Sequence, residues 1–128
     1  MADRKAILPK GLAANPVYSS GIQVGELLFV SGQVALDNTG KIVGVGDFEA
    51  QARHIMSRIR AVVEAAGGTM QDVIKITTFL TNAGDYATFN KVRSEAFPST
   101  PPASSAVIVA GLLRPELLVE VEAVAHIR

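Results

Sequence analysis

The chain contains no cysteine and no tryptophan, and aromatic residues make up only 5% of its 128 positions. Without cysteine there is no disulfide, no thiol nucleophile and no thiolate metal site. Histidine is nearly as scarce, with His54 and His126 the only two. Zinc and iron sites gather several His, Cys or carboxylate ligands in a defined geometry, so two isolated histidines read as surface or capping groups and no metal is expected. An excess of charge is missing too. Lys plus Arg and Asp plus Glu each number 12, which removes the electropositive footprint of a nucleic-acid binder. No apolar run approaches the roughly 20 residues that span a bilayer. Met1-Ala2-Asp3-Arg4-Lys5 lacks the apolar core of a secretory signal, so a cytoplasmic location without membrane contact is expected. Finally, no serine lies in a Gly-x-Ser-x-Gly elbow, and neither Gly21 with Gly25 nor Gly44 with Gly46 builds a Gly-x-Gly-x-x-Gly loop. The expectation is a protein without a cofactor.

What the chain does have is apolar substance. Hydrophobic residues make up 48% of it and the mean hydropathy is +0.30. At this length the chain fits one domain, 1–128, burying roughly two-thirds of the surface its unfolded form exposes. A small monomer normally keeps some net charge for solubility. Zero net charge at this hydropathy is explained either by an oligomer that hides apolar surface or by a core rich in alanine and valine.

Periodicity divides the chain. Residues 1–16 read as an extended arm with Pro9 and Pro16 and no clear period. Tyr18 to Ile22 and Glu26 to Ser31 read as a hairpin with Gly21 and Gly25 flanking the turn, and the apolar run Leu27-Leu28-Phe29-Val30 suggests a strand covered on both faces. A helix should begin at Asp47, a good N-cap, and run to about Ala66 before Gly67-Gly68. Its Phe48, Ala52, Ile55, Ile59, Val62 and Val63 recur at three- and four-residue spacing, with Arg53, Ser57, Arg58 and Arg60 around the rest. Val73 to Leu80 alternates as a strand. Asp85 to Phe97 reads as a second helix with Tyr86, Phe89, Val92, Ala96 and Phe97 apolar, ended by Pro98. Two β-type runs, from Ala103 to Val109 and from Leu118 to Ala125, close the chain. Too few helices exist to cover both faces of such a sheet, so the pattern predicts an α+β layer, β-β-α-β-α-β-β, with both helices on one face and self-association over the other.

Chemistry-bearing residues are small polar groups at element ends. Glu120 and Glu122 alternate with Val119, Val121 and Ala123, so both carboxylates share one face of the last strand. A carboxylate beside an apolar sheet needs water, a donor or a ligand, because burying it unpaired is costly. Tyr18, Ser31, Asn90 and the Ser104-Ser105 pair join Glu120 as candidates. Taken singly, each is equally well an ordinary surface or capping residue.

Taken in order, motifs over nearly the whole chain resemble one family. Asn15-Pro16-Val17-Tyr18-Ser19 is similar to a Pro-Tyr-Ser entry with Val17 as an extra residue, and Phe29-Val30-Ser31-Gly32-Gln33 is similar to a Ser-Gly-Gln motif. Gln51-Ala52-Arg53, Glu64-Ala65-Ala66-Gly67-Gly68-Thr69, Asp72-Val73-Ile74-Lys75, Phe89-Asn90-Lys91-Val92 and Pro102-Ala103 before Val119-Glu120-Val121-Glu122 continue it. The chain resembles the RidA (YjgF-type) family of enamine/imine deaminases, with a tail, Leu112-Leu113-Arg114-Pro115-Glu116 to Ala125-His126-Ile127, most similar to the RutC branch. That resemblance implies a chorismate mutase-like homotrimer with a central barrel, helices outside and one small-molecule cleft at each subunit interface. It implies cofactor-free hydrolysis of an enamine or imine to a keto acid and ammonia. Glu120 would position or activate water, with Tyr18, Ser31 and Asn90 at cleft positions. One departure stands out. Ser104 occupies the position of the arginine that clamps the substrate carboxylate in the family. Ser104 and Ser105 would then meet a differently shaped ligand, or another cation would take over. Arg93, three residues after Asn90 and placed where the family usually has tyrosine, is the candidate, with Arg114 the second. The alternative is a non-catalytic binding or regulatory trimer.

Overall fold

The computed structural model describes residues 3–128. Six strands form one mixed sheet in the order β1-β2-β3-β6-β4-β5. They span Arg4–Ile7 (β1), Gly21–Val24 (β2), Leu27–Gln33 (β3), Val73–Leu80 (β4), Ala103–Ile108 (β5) and Val119–His126 (β6). All neighbours are antiparallel except β4 and β5, which run parallel. A parallel pair needs a crossover, and helix α2 (Tyr86–Ala96) supplies it. Helix α1 (Phe48–Ala65) links β3 to β4, and the C-terminal β6 inserts between those two strands.

The helices form where the periodicity places them. The Asp47 carboxylate accepts the Ala50 N–H at 3.0 Å as N-cap of α1, and Gly67, at φ +88°, takes the left-handed turn that ends it. The apolar stripe of α1 buries Ile55, Ile59, Val62 and Val63 against Leu28 and Val30 of β3 and Val119, Val121 and Ala123 of β6, while α2 adds Phe89 and Val92. Gln51 is fully buried in this layer. Its amide donates to the carbonyls of Gly44 and Glu116, and its oxygen accepts the Leu118 N–H at 2.9 Å, which anchors the segment leading into β6.

Two expectations need correction. The extended arm 1–16 contains a strand that the pattern did not predict, since Arg4–Ile7 pairs with β2. Only Ile7 of its four residues is buried, so no alternation could mark it; the free edge of β2 recruits it. The hairpin is shifted by one to three residues. Gly21 lies inside β2, where a Cβ would come within 2.8 Å of Val62 on α1, and only Gly25 sits in the turn. Within one chain the helices cover one face of β3, burying Leu28 and Val30 while Leu27 and Phe29 remain 41% and 49% exposed. Both helices lie on one side, and the opposite face of the sheet is bare.

Candidate functional site

Two groups of polar side chains stand on the two faces of this sheet. The parallel register sets Ser104 beside Ile76 and Ser105 beside Thr77. Ile76 is buried under the helices, so Ser104 belongs to the helical face and Ser105 to the bare one. Ser105 accepts from Lys75 Nζ at 2.8 Å there. Ser104 instead meets α2. Arg93 Nη1 donates to the Ser104 hydroxyl at 3.0 Å, and its Nη2 donates to Tyr86 Oη at 3.1 Å and Asn90 Oδ1 at 2.5 Å. Its guanidinium carbon lies 5.5 Å from the Tyr86 ring centroid and 5.4 Å from that of Phe89, within cation–π range. Every acceptor around Arg93 is neutral, and no carboxylate forms an ion pair with it among the described residues. A half-buried guanidinium stacked on two rings, held by three side chains and left without a counter-ion, is prepared for an anion.

Tyr86, read from the sequence as part of an apolar stripe, is a polar partner here and 42% exposed. Tyr86, Asn90 and Arg93 follow one another at four- and three-residue steps, the spacing that puts side chains in contact on one helix face. That signal was present in the sequence. Arg114, the other candidate cation, is exposed and donates to the Gly40 carbonyl at 3.3 Å.

The second group centres on Glu120. The burial of Val119, Val121 and Ala123 turns Glu120 and Glu122 to the bare face. Glu120 pairs with Phe79 on one side. On the other, β3 bulges between Val30 and Gln33, and the Glu120 carboxylate packs onto Gly32 so closely that a Cβ there would collide with it. Gly32 is therefore a seat for the carboxylate. Burial pushes the Glu120 carboxyl above the ordinary glutamate range, and the like charge of Glu122 pushes it the same way.

Ser31 serves as a support. Its hydroxyl donates to the Ser19 carbonyl at 2.6 Å and its N–H to that of Ser20 at 2.9 Å, which fixes the segment carrying Tyr18 against β3. Tyr18, 60% exposed, lines with Gly32 a cavity of about 210 Å³. Gly32, Lys75 and Tyr86 thus enter the two groups without having been singled out from the sequence. Among the described residues no three His, Cys, Asp or Glu side chains stand close enough to hold a metal ion.

The sheet decides how the groups can cooperate. Ser104 lies two strands from Glu120, and its register partner Ile76 is three residues from Phe79, the partner of Glu120. Strand spacing and rise put their backbones about 14 Å apart, and their side chains leave opposite faces. A small ligand cannot touch both groups of one chain.

Comparison with known proteins adds to this geometry. Residues 9–127 match the family described as Endoribonuclease L-PSP. A RutC family protein of Pyrococcus horikoshii is 42% identical over 110 residues, covering 85% of this chain and 86% of that protein. The crystal structure of RidA from the Antarctic bacterium Psychrobacter sp. PAMC 21119 superposes with a TM-score of 0.87 at 35% identity, covering 96% of this chain and 99% of the other. YyfA of Yersinia pestis, from the conserved Rid protein family, superposes at 0.90 with 33% identity, over 98% of this chain and 100% of its own.

Proposed function

Because this chain belongs to the Endoribonuclease L-PSP (YjgF/RidA) family, we propose that it is a cofactor-free hydrolytic deaminase of a small enamine or imine, acting in the cytoplasm as a homotrimer with a cleft at each subunit interface. The observation that carries this reading is the guanidinium of Arg93 set against the Ser104 hydroxyl. The cation absent from β5 is supplied to the same place by α2, where it can meet a substrate carboxylate together with Ser104 and Asn90. The bare sheet face, with Val24, Leu27, Phe29 and Val107 exposed, supports the assembly, and the separation of Arg93 from Glu120 within one chain supports a cleft between chains.

In the reaction, water adds across the C=N bond of the imine, its oxygen bonding to carbon and a proton passing to nitrogen. The C–N bond of the resulting carbinolamine then breaks, releasing ammonia and leaving a keto acid. Glu120 suits both transfers. Its raised proton affinity lets the carboxylate draw a proton from the attacking water and, as the acid, return it to the departing nitrogen. Gly32 holds that carboxylate in place.

Ser104 itself favours a second reading, a binding or regulatory trimer that has lost turnover, because a hydroxyl on β5 cannot clamp a carboxylate bidentately. Imines generated in the assay, with a free carboxylate or its methyl ester, separate the two. Ammonia release from the carboxylate series and little from the esters is expected. No turnover across the panel, with binding retained in calorimetry, would establish the second reading. RNA cleavage, suggested by the family's description, gains nothing from a chain with 12 basic and 12 acidic residues.

A further inference from the structure

We propose that the cavity between the Pro9–Leu12 turn and α1 is a second binding site, apart from the anion position at Arg93 and Ser104, that takes a small oxyanion on Arg58 and Lys10. Arg58 rises from α1 and is half-buried. Its Nε–H donates to Gln33 Oε1 at 3.1 Å and an Nη1–H to the Leu36 carbonyl at 2.7 Å. A guanidinium carries five N–H donors; the others have no protein acceptor among the described residues. No carboxylate forms an ion pair with it among the described residues. Half-buried donors of a charged group left in this state face water or a ligand.

The space beside them is suited to an anion. It measures about 170 Å³, and Lys10, Asn38, His54 and Arg58 contribute to its lining, which contains no Asp or Glu. Two cationic side chains, Lys10 and Arg58, on one cavity without a carboxylate in its lining make a local imbalance of sign in a chain of zero net charge. The volume is several times the ~30 Å³ share of one water, room for a phosphate- or acetate-sized ion. His54 does not compete for Arg58, because its Nε2 faces the Leu36 carbonyl at 2.8 Å and must carry the hydrogen there.

The neighbouring cavity of about 210 Å³ shares Leu12, Gln33, Asn38 and Arg58, and its one acid is Asp37. That carboxylate is turned into its own loop. It accepts the Thr39 N–H at 2.8 Å, the Thr39 hydroxyl at 2.6 Å and the Lys41 N–H at 3.0 Å, and these bonds hold it below the usual carboxylate range. Asp37 therefore leaves the Arg58 charge unanswered.

Titration of the full-length protein with inorganic phosphate, acetate and chloride at constant ionic strength, by calorimetry and by thermal shift, tests the site. Saturable binding of phosphate or acetate, but not of chloride, is expected, and comparing the two oxyanions identifies which the cavity prefers. Lys10→Glu, at an exposed turn position, should weaken binding about fivefold or more, and Arg58→Met should abolish it. In an Arg93→Ala background, which removes the anion position on α2, the binding that Lys10→Glu weakens should persist. Equal effects of chloride and the oxyanions, indifference to Lys10→Glu, or loss of binding in Arg93→Ala would each overturn the proposal. The last outcome would place the anion in the cleft and leave the deaminase reading standing; failure of the deaminase assay would leave the anion titration untouched.

Discussion

Replacing Ser104 by arginine ought to restore a deaminase clamp, if sequence position alone mattered. The structure predicts the opposite for the single change. Arg93 already donates to Ser104 at 3.0 Å, so a second guanidinium on β5 would arrive beside the first. Two like charges about 5 Å apart repel by about 1–3 kcal/mol between the dielectric of water and that of a protein surface. Ser104→Arg alone should therefore lower kcat/KM and the melting temperature. Arg93→Ala should remove a charge-assisted contact of about 1.5–3 kcal/mol, a loss of about 10- to 150-fold in kcat/KM on carboxylate-bearing imines and little on their esters. Arg93→Tyr combined with Ser104→Arg removes the repulsion and moves the clamp to the strand, so the pair should recover activity that neither single variant shows. Ammonia release under first-order conditions for the parent, Ser104→Arg, Arg93→Tyr and the pair gives the coupling directly. Additive effects, or a gain from Ser104→Arg alone, would refute the claim that the two positions share one anion-binding task.

Other perturbations probe the remaining parts. Glu120→Gln should abolish turnover while stabilising the protein at neutral pH, because a carboxyl whose proton affinity is raised on folding loses stability as pH rises from the unfolded value of about 4.3. Melting curves of parent and variant should converge below about pH 4; a stability difference that grows toward low pH would contradict the burial argument. Thr78 is fully buried with no partner for its hydroxyl among the described residues, so Thr78→Val, nearly equal in shape, should raise stability by about 1 kcal/mol in urea unfolding. Phe29→Glu at the bare face should convert the proposed trimer, three times 13.5 kDa, into a 13.5 kDa species in sedimentation; an unchanged assembly would move the interface elsewhere.

The helices were readable because their signals are local. Asp47 caps the residue three positions ahead of it, and the stripe of α1 repeats at the helical period over 18 residues. The alternation of β6 announced the direction of Glu120 and Glu122 in the same way. β1 was not readable, since a four-residue edge strand with one buried side chain leaves no pattern. Nor was the seat of Glu120. Gly32 lies 88 residues before it in the chain, and only the pairing of β3 with β6 and its bulge bring them together.

Composition, periodicity and ordered motifs thus specify the layer of two helices on a sheet, the bare face and the carboxylate pointing onto it, all consequences of contacts close in sequence or of side-chain direction along a strand. Whether a cation remains beside Ser104 is a different kind of question. Arg93 reaches that hydroxyl because the α2 crossover lays one helix face along the edge of the sheet, and two rings and an amide then fix its guanidinium. Packing determines that contact, and packing likewise sets Arg93 and Glu120 on opposite faces, which is why the proposed cleft needs more than one chain.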